Sequence, residues 1–146
     1  VITSPFDLAR FVTAQAGVFD QALEELRAGQ KRSHWMWFVF PQVKGLGQSP
    51  TALRYGIASL AEANAYIEHP VLGSRLETAV AAVQASPAAS LNLLFGSPDD
   101  LKFHSSMTLF AIVAPDGPCQ AALDRWCSGE SDPRTMELLL DRLGRN

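Results

Sequence analysis

The residues best suited to chemistry in this chain gather in KRSHWMWFVFPQ, residues 31–42. Lys31, Ser33 and His34 run directly into Trp35, Met36, Trp37 and Phe38. An ammonium, a hydroxyl and an imidazole beside indole faces can hold an anion and stack on a base, a sugar or a cation. Imidazole is the side chain that changes charge nearest neutrality, so His34 and His69 are the candidate acid–base groups. The loop that follows, Gln42 to Ser49, adds Gly45 and Gly47 one residue apart, with Lys44 and Ser49. Such a loop can turn backbone N–H groups toward an anion. The glycine spacing alone is a weak signal, because no strand precedes it and no phosphate-loop pattern surrounds it.

Further along, Lys102 stands three and four residues before Ser105 and Ser106, so all three share a helix face. His69 sits at a helix break before Pro70, and Arg75 lies one to two turns into the next helix. Each of these residues also has a plain structural reading. The Trp/Phe run is then core, and Lys31 and Arg32 complement the last carbonyls of the preceding helix. His34 packs or caps, and Arg75 pairs with a carboxylate. Ser105 and Ser106 allow close packing or bond back to the preceding turn.

The elements that must position these groups read as helices. Ser4-Pro5-Phe6-Asp7 fits a helix start, with serine as cap and proline at the first helical position. A second helix spans about Asp20 to Ala28, with Ala22, Leu23 and Leu26 inward, and Gly29 stops it. Trp35 to Phe40 has no polar face whether read as helix or strand. Its context favours a short central helix, capped by Ser33 and ended by Pro41. Ser59 to Glu62 fits a capping box opening a helix to about Glu68. Further starts fall at Pro70, Ser86-Pro87, Ser97-Pro98, Pro118 and Asp132-Pro133. No hairpin turn separates alternating β-branched runs. The expectation is one all-α domain over residues 1–146, compact, with seven or eight short helices and a solenoid-like stacking of helix pairs as one form.

Bulk properties narrow the function. The chain has 146 residues, 47% hydrophobic and 18% charged, with a net charge of −3. That composition supports a real core in a single domain. No basic block exceeds two residues, which argues against nucleic acid. No apolar run approaches a membrane span. The start VITSPFDLAR lacks a basic, then apolar, leader, so no signal peptide is expected. Cys119 and Cys127, eight residues apart on one helix, are too far apart for a disulfide and read as reduced thiols of a cytoplasmic protein. No metal-ligand spacing and no cofactor motif is visible.

The pattern K-x-S-H-W-M-W-F-x-F-P-Q at 31–42, followed by G-L-G-x-S at 45–49, resembles the signature of a bacterial and fungal family, domain-of-unknown-function family 1810. Tyr55-Gly56-Ile57, His69 through Leu76, Asp99 through Phe103, and Ser105 through Phe110 are similar as well. The likeness covers nearly the whole chain. It implies a compact all-α fold and supplies no activity. Its motif positions here are Lys31, Ser33, His34, Trp35, Trp37, Gln42, Gly45, Gly47, Ser49, Tyr55, His69, Arg75, Lys102, Ser105, Ser106 and Thr108. A signature so rich in polar residues implies a buried hydrogen-bond network or a ligand site.

The expected function is therefore a site for a small anionic ligand, nucleotide-like or sugar-phosphate-like. Lys31, Arg75 and Lys102 supply charge, and Ser33, Gln42, Gly45, Gly47, Ser49, Tyr55, Ser105 and Ser106 line it beside Trp35. His34 or His69 acts in hydrolysis or group transfer if the protein is an enzyme, a question the sequence leaves open. The alternative is a helical interaction module without catalysis, and RNA binding ranks last. A ligand site predicts that Lys31, His34, Arg75 and Lys102 converge.

Overall fold

The computed structural model describes residues 5–143. Among these residues ten helices follow one another: α1 Ala9–Gln15, α2 Phe19–Arg27, α3 Met36–Val39, α4 Pro50–Arg54, α5 Leu60–Glu68, α6 Leu72–Gln84, α7 Leu91–Phe95, α8 Asp99–Val113, α9 Pro118–Trp126 and α10 Pro133–Leu143. No strand occurs among the described residues, only an isolated parallel bridge between Val43 and Ile57. The fold is all-α, as expected. The larger helix count comes from splitting irregular stretches. α3 and α4 are single turns, and α4 lies in a region whose sequence showed only loop chemistry.

Serine caps set several boundaries. Ser59 accepts the Glu62 N–H at 3.1 Å and opens α5. The reciprocal half of the capping box is displaced by one residue: the Glu62 carboxylate accepts from Ala58 N–H, at 2.8 Å. Ser90, not Ser86, caps α7. Ser86 instead accepts from Ala88 in a turn, which delays the helix expected from Ser86-Pro87. At the other end of the chain, α1 begins at Ala9, four residues beyond Pro5; Ser4, its expected cap, lies outside the described residues, as does Gly144.

The centre of the domain is α8. Phe103 and every residue from Ser105 to Ala111 are buried, which requires neighbours all round. It packs on α5, α7, α9 and α10, while α6 spans α2, α5 and α9. One helix touching four others is a hub, and it replaces the linear stacking of helix pairs considered from sequence. It also takes the central place expected of residues 35–40, which form one wall of the core. In that wall Phe40 meets Phe95 and Phe103 edge-on at 6.0 and 5.0 Å. Trp35, Met36, Val39 and Phe40 are buried, whereas Trp37 and Phe38 are half-buried.

Candidate functional site

The polar half of the 31–42 segment is tied down by two carboxylates. Glu25 sits on the inward face of α2 beside Ala22, Leu23 and Leu26 and is itself buried. It accepts from Arg32 N–H at 2.7 Å, Ser33 N–H at 2.9 Å, the Ser33 hydroxyl at 2.5 Å, the Trp35 indole at 3.0 Å and the Gln21 amide at 2.9 Å. Burial pushes the Glu25 carboxyl up. The Ser33 hydroxyl, the Arg32 N–H, the Gln21 amide and the Ser33 N–H outweigh that and hold it at about 2. Ser33 is therefore a donor to Glu25 and not a helix cap; Trp35 occupies the cap position of α3. Trp35 faces the core.

The second carboxylate is Asp99, at the start of α8. Lys31, with its side chain 6% exposed, pairs with it at 2.8 Å and lies 5.0 Å from the Trp35 ring. Lys102 approaches Asp99 at 3.5 Å and stands 5.0 Å over the Trp37 ring. Lys31 and Lys102 thus do come together, but on a carboxylate of the protein itself, Asp99, which engages both and balances one of the two charges.

The remaining sequence candidates separate. His34 is exposed on the loop before α3. His69 ends α5, and its Nδ1 accepts from Val71 and Leu72 N–H at 3.1 and 3.2 Å, so it caps the turn into α6. Arg75, expected at the ligand site or else paired with a carboxylate, donates to Gln15 Oε1 at 3.2 Å. Gln15 in turn donates to Phe38 O and to the buried Tyr66 hydroxyl. Ser105 meets Thr135 at 2.6 Å. Ser106 Oγ is the one buried side-chain polar atom without a partner among the described residues. Ser49 caps α4. Gln42, Gly47 and Tyr55 line a cleft of about 10 Å³ with Trp37, room for no more than about one water. Gly47 lies so close to α4 that a Cβ there would stand 2.7 Å from Ala52 Cβ. Gly45, at φ +113°, faces Arg142 and Leu138 of α10. The two glycines shape the loop against its neighbours.

On the other side of α4 lies a groove of about 590 Å³ lined by Phe6, Asp7, Arg10, Lys44, Pro50, Leu53, Arg54, Gly56, Ala58 and Glu62. Its walls are braced. Arg10 donates to Asp7 O, Arg54 O, Gly56 O and the Glu62 carboxylate, the last at 2.8 Å. Lys44 N–H bonds Ile57 O and Ile57 N–H bonds Gln42 O, both at 2.8 Å, forming the parallel bridge beneath. Arg142 from α10 donates to Ala58 O at 3.2 Å and also to Lys44 O. With those carbonyls and the Ala58 N–H engaged, the walls are in place before anything binds. Lys44 and Arg54 are exposed, and neither forms an ion pair among the described residues. Sequence reasoning missed Arg10, Arg54 and Glu62 as site residues, because no local motif joins residues 10, 44, 54 and 62. The inward position of Glu25 was the one signal available for the other cluster.

The comparisons with known proteins give a family and a structural neighbour and assign no activity. A family model described as protein of unknown function (DUF1810) matches residues 5–139, and the chain belongs to that family. The crystal structure of the conserved hypothetical protein Rv1873 from Mycobacterium tuberculosis is 53% identical, with a TM-score of 0.91 over 94% of this chain and 99% of that one. No curated protein matches.

Proposed function

We propose that this DUF1810 protein binds a small anionic ligand in the groove between α1, α4 and the 43–49 loop. The observation that carries the reading is the state of its cations. Arg10 is committed to the wall, whereas Lys44 and Arg54 border the groove with no ion-pair partner among the described residues. The groove is broad and open, and its volume of about 590 Å³ leaves room for a small molecule. A locally positive groove on a chain of net charge −3 concentrates anions there.

The anionic-ligand expectation is kept, and its residues move. Lys31 and Lys102 are both engaged by Asp99, and none of Lys31, Lys102, His34 and His69 lines the groove. The proposal is therefore binding, with no acid–base step attached to it. An interaction module has less support, since the large exposed apolar side chains Leu53, Val71, Leu93, Leu101, Ile112 and Leu140 are spread over α4, α7, α8, α10 and the turn before α6.

Calorimetric titration with inorganic phosphate and pyrophosphate at low salt tests the reading. Wild type should bind, and the Lys44→Ala/Arg54→Ala double variant should lose about tenfold or more in affinity. Absence of binding to wild type, or equal binding by the double variant, would overturn it.

A further inference from the structure

The groove is larger than a bare inorganic ion needs, and its lining is of two kinds. We infer that its ligand is an amphipathic phosphate monoester: a dianionic phosphate held by Lys44 and Arg54, with an apolar or aromatic group lying on Phe6, Pro50 and Leu53. The inference rests on the binding reading above and names the class of ligand.

Charge balance supports the dianion. Glu62 offsets Arg10 at 2.8 Å. Asp7 is the other carboxylate of the lining, against Lys44 and Arg54, and Arg142 adds a third cation behind the wall through its bonds to the Lys44 and Ala58 carbonyls. Apart from the Arg10–Glu62 pair, two lining cations thus face one lining carboxylate, with Arg142 behind the wall. A doubly charged group gains more from Lys44, Arg54 and the nearby Arg142 than a singly charged diester or carboxylate does. Guanidinium forks also fit phosphate oxygens in pairs, and lysine adds a point charge. Shape supports the apolar part. Leu53 is 40% exposed on the groove's lining, and Phe6 and Pro50 line it as well. Covering such a surface is favourable in proportion to its area.

The test compares phenyl phosphate, inorganic phosphate and the singly charged diester methyl phenyl phosphate, by calorimetry on wild type and on Leu53→Ser. Phenyl phosphate should bind at least about tenfold more tightly than either of the others. Leu53→Ser should erase its advantage over inorganic phosphate. Leu53 is exposed, so this variant keeps the fold. Equal affinity for phenyl phosphate and inorganic phosphate would overturn the apolar half. Equal affinity for monoester and diester would overturn the dianion. In both cases the groove still binds anions and the broader reading stands. No binding by any of the three compounds would overturn both.

Discussion

The Trp35 indole N–H points at Glu25 Oε1, 3.0 Å away and ten residues back along the chain. That bond joins the most apolar segment of the protein to a buried charge, and it explains why a lysine, a serine and two tryptophans stand together. The polar residues of this segment fasten it: Ser33 and Trp35 to Glu25, and Lys31 to Asp99. A buried carboxylate is tolerated when its lone pairs are filled, and Glu25 has five donors. The polar richness of the 31–42 signature is then accounted for chiefly by a buried network.

Glu25 should make the protein acid-sensitive in a defined window. Its pKa is depressed from the ordinary 4.5 to about 2. A depressed carboxylate stabilises the fold fully above 4.5, and the contribution fades as pH falls toward 2. The difference corresponds to about 3 kcal/mol. In urea unfolding, wild type should exceed Glu25→Gln in stability at pH 6, and the gap should narrow steadily between pH 4.5 and 2.5. A gap that stays constant over that range would show that the carboxylate charge is not what matters. Glu25→Ala, which leaves the Trp35 and Ser33 donors unfilled, should cost about 3 kcal/mol or more at pH 7.

Ser106 should behave in the opposite sense. Its hydroxyl is buried without a partner, and an unfilled hydroxyl in a dry core costs about 1–3 kcal/mol. Ser106→Ala should therefore raise stability, by up to about 1 kcal/mol once the lost packing is counted. A thermal midpoint below that of wild type would show that Ser106 makes a bond essential to α8.

How much of this was legible depends on the distance over which each feature is decided. Ser59 as a cap and the starts of α9 and α10 at Pro118 and Pro133 follow from neighbours within four residues, and the sequence shows them. Ser86-Pro87 misleads because two serines compete for one helix start, and Ser90 wins with Leu93 N–H in reach. The meeting of Lys31 and Lys102 was anticipated, but not its centre, Asp99, because residues 31 and 99 come together only through packing of α7 and α8 against the loop. Arg75 finds Gln15, sixty residues away, and no local pattern names that partner. The groove is the extreme case: its lining comes from residues 6–10, 44, 50–58 and 62, each unremarkable by itself.

The two thiols should be sluggish. Burial, and then Glu77, pushes Cys119 up to about 12; burial, and then Asp132, pushes Cys127 up to about 11. Only the thiolate attacks a disulfide reagent. At pH 8 a thiol-reactive chromogen should label Cys127 far more slowly than a free small thiol. Cys119, buried on α9, should remain unlabelled until the protein is unfolded. Fast labelling of the Cys127→Ala variant under native conditions would mean that α9 opens readily.

Arg142 offers a way to alter the groove without touching its lining. Its guanidinium bonds Ala58 O at 3.2 Å and also Lys44 O, so α10 holds two groove residues beside the Val43–Ile57 bridge. Gly45 makes room for it: a Cβ there would stand 3.3 Å from Arg142 Nη2, on a residue at φ +113°. Arg142→Ala should cost only about 1 kcal/mol of stability, since its bonds are partly exposed, yet weaken phosphate binding several-fold by releasing the Lys44 wall. Arg142→Lys should recover part of the loss, because an ammonium lacks the fork that reaches both carbonyls together. Gly45→Ala should reproduce the Arg142→Ala affinity loss, with a further strain cost of about 1 kcal/mol. Arg134→Ala, on the same helix but in an exposed pair with Glu137, should change neither quantity measurably. Affinity unchanged in Arg142→Ala would mean that the Lys44 wall keeps its place without α10.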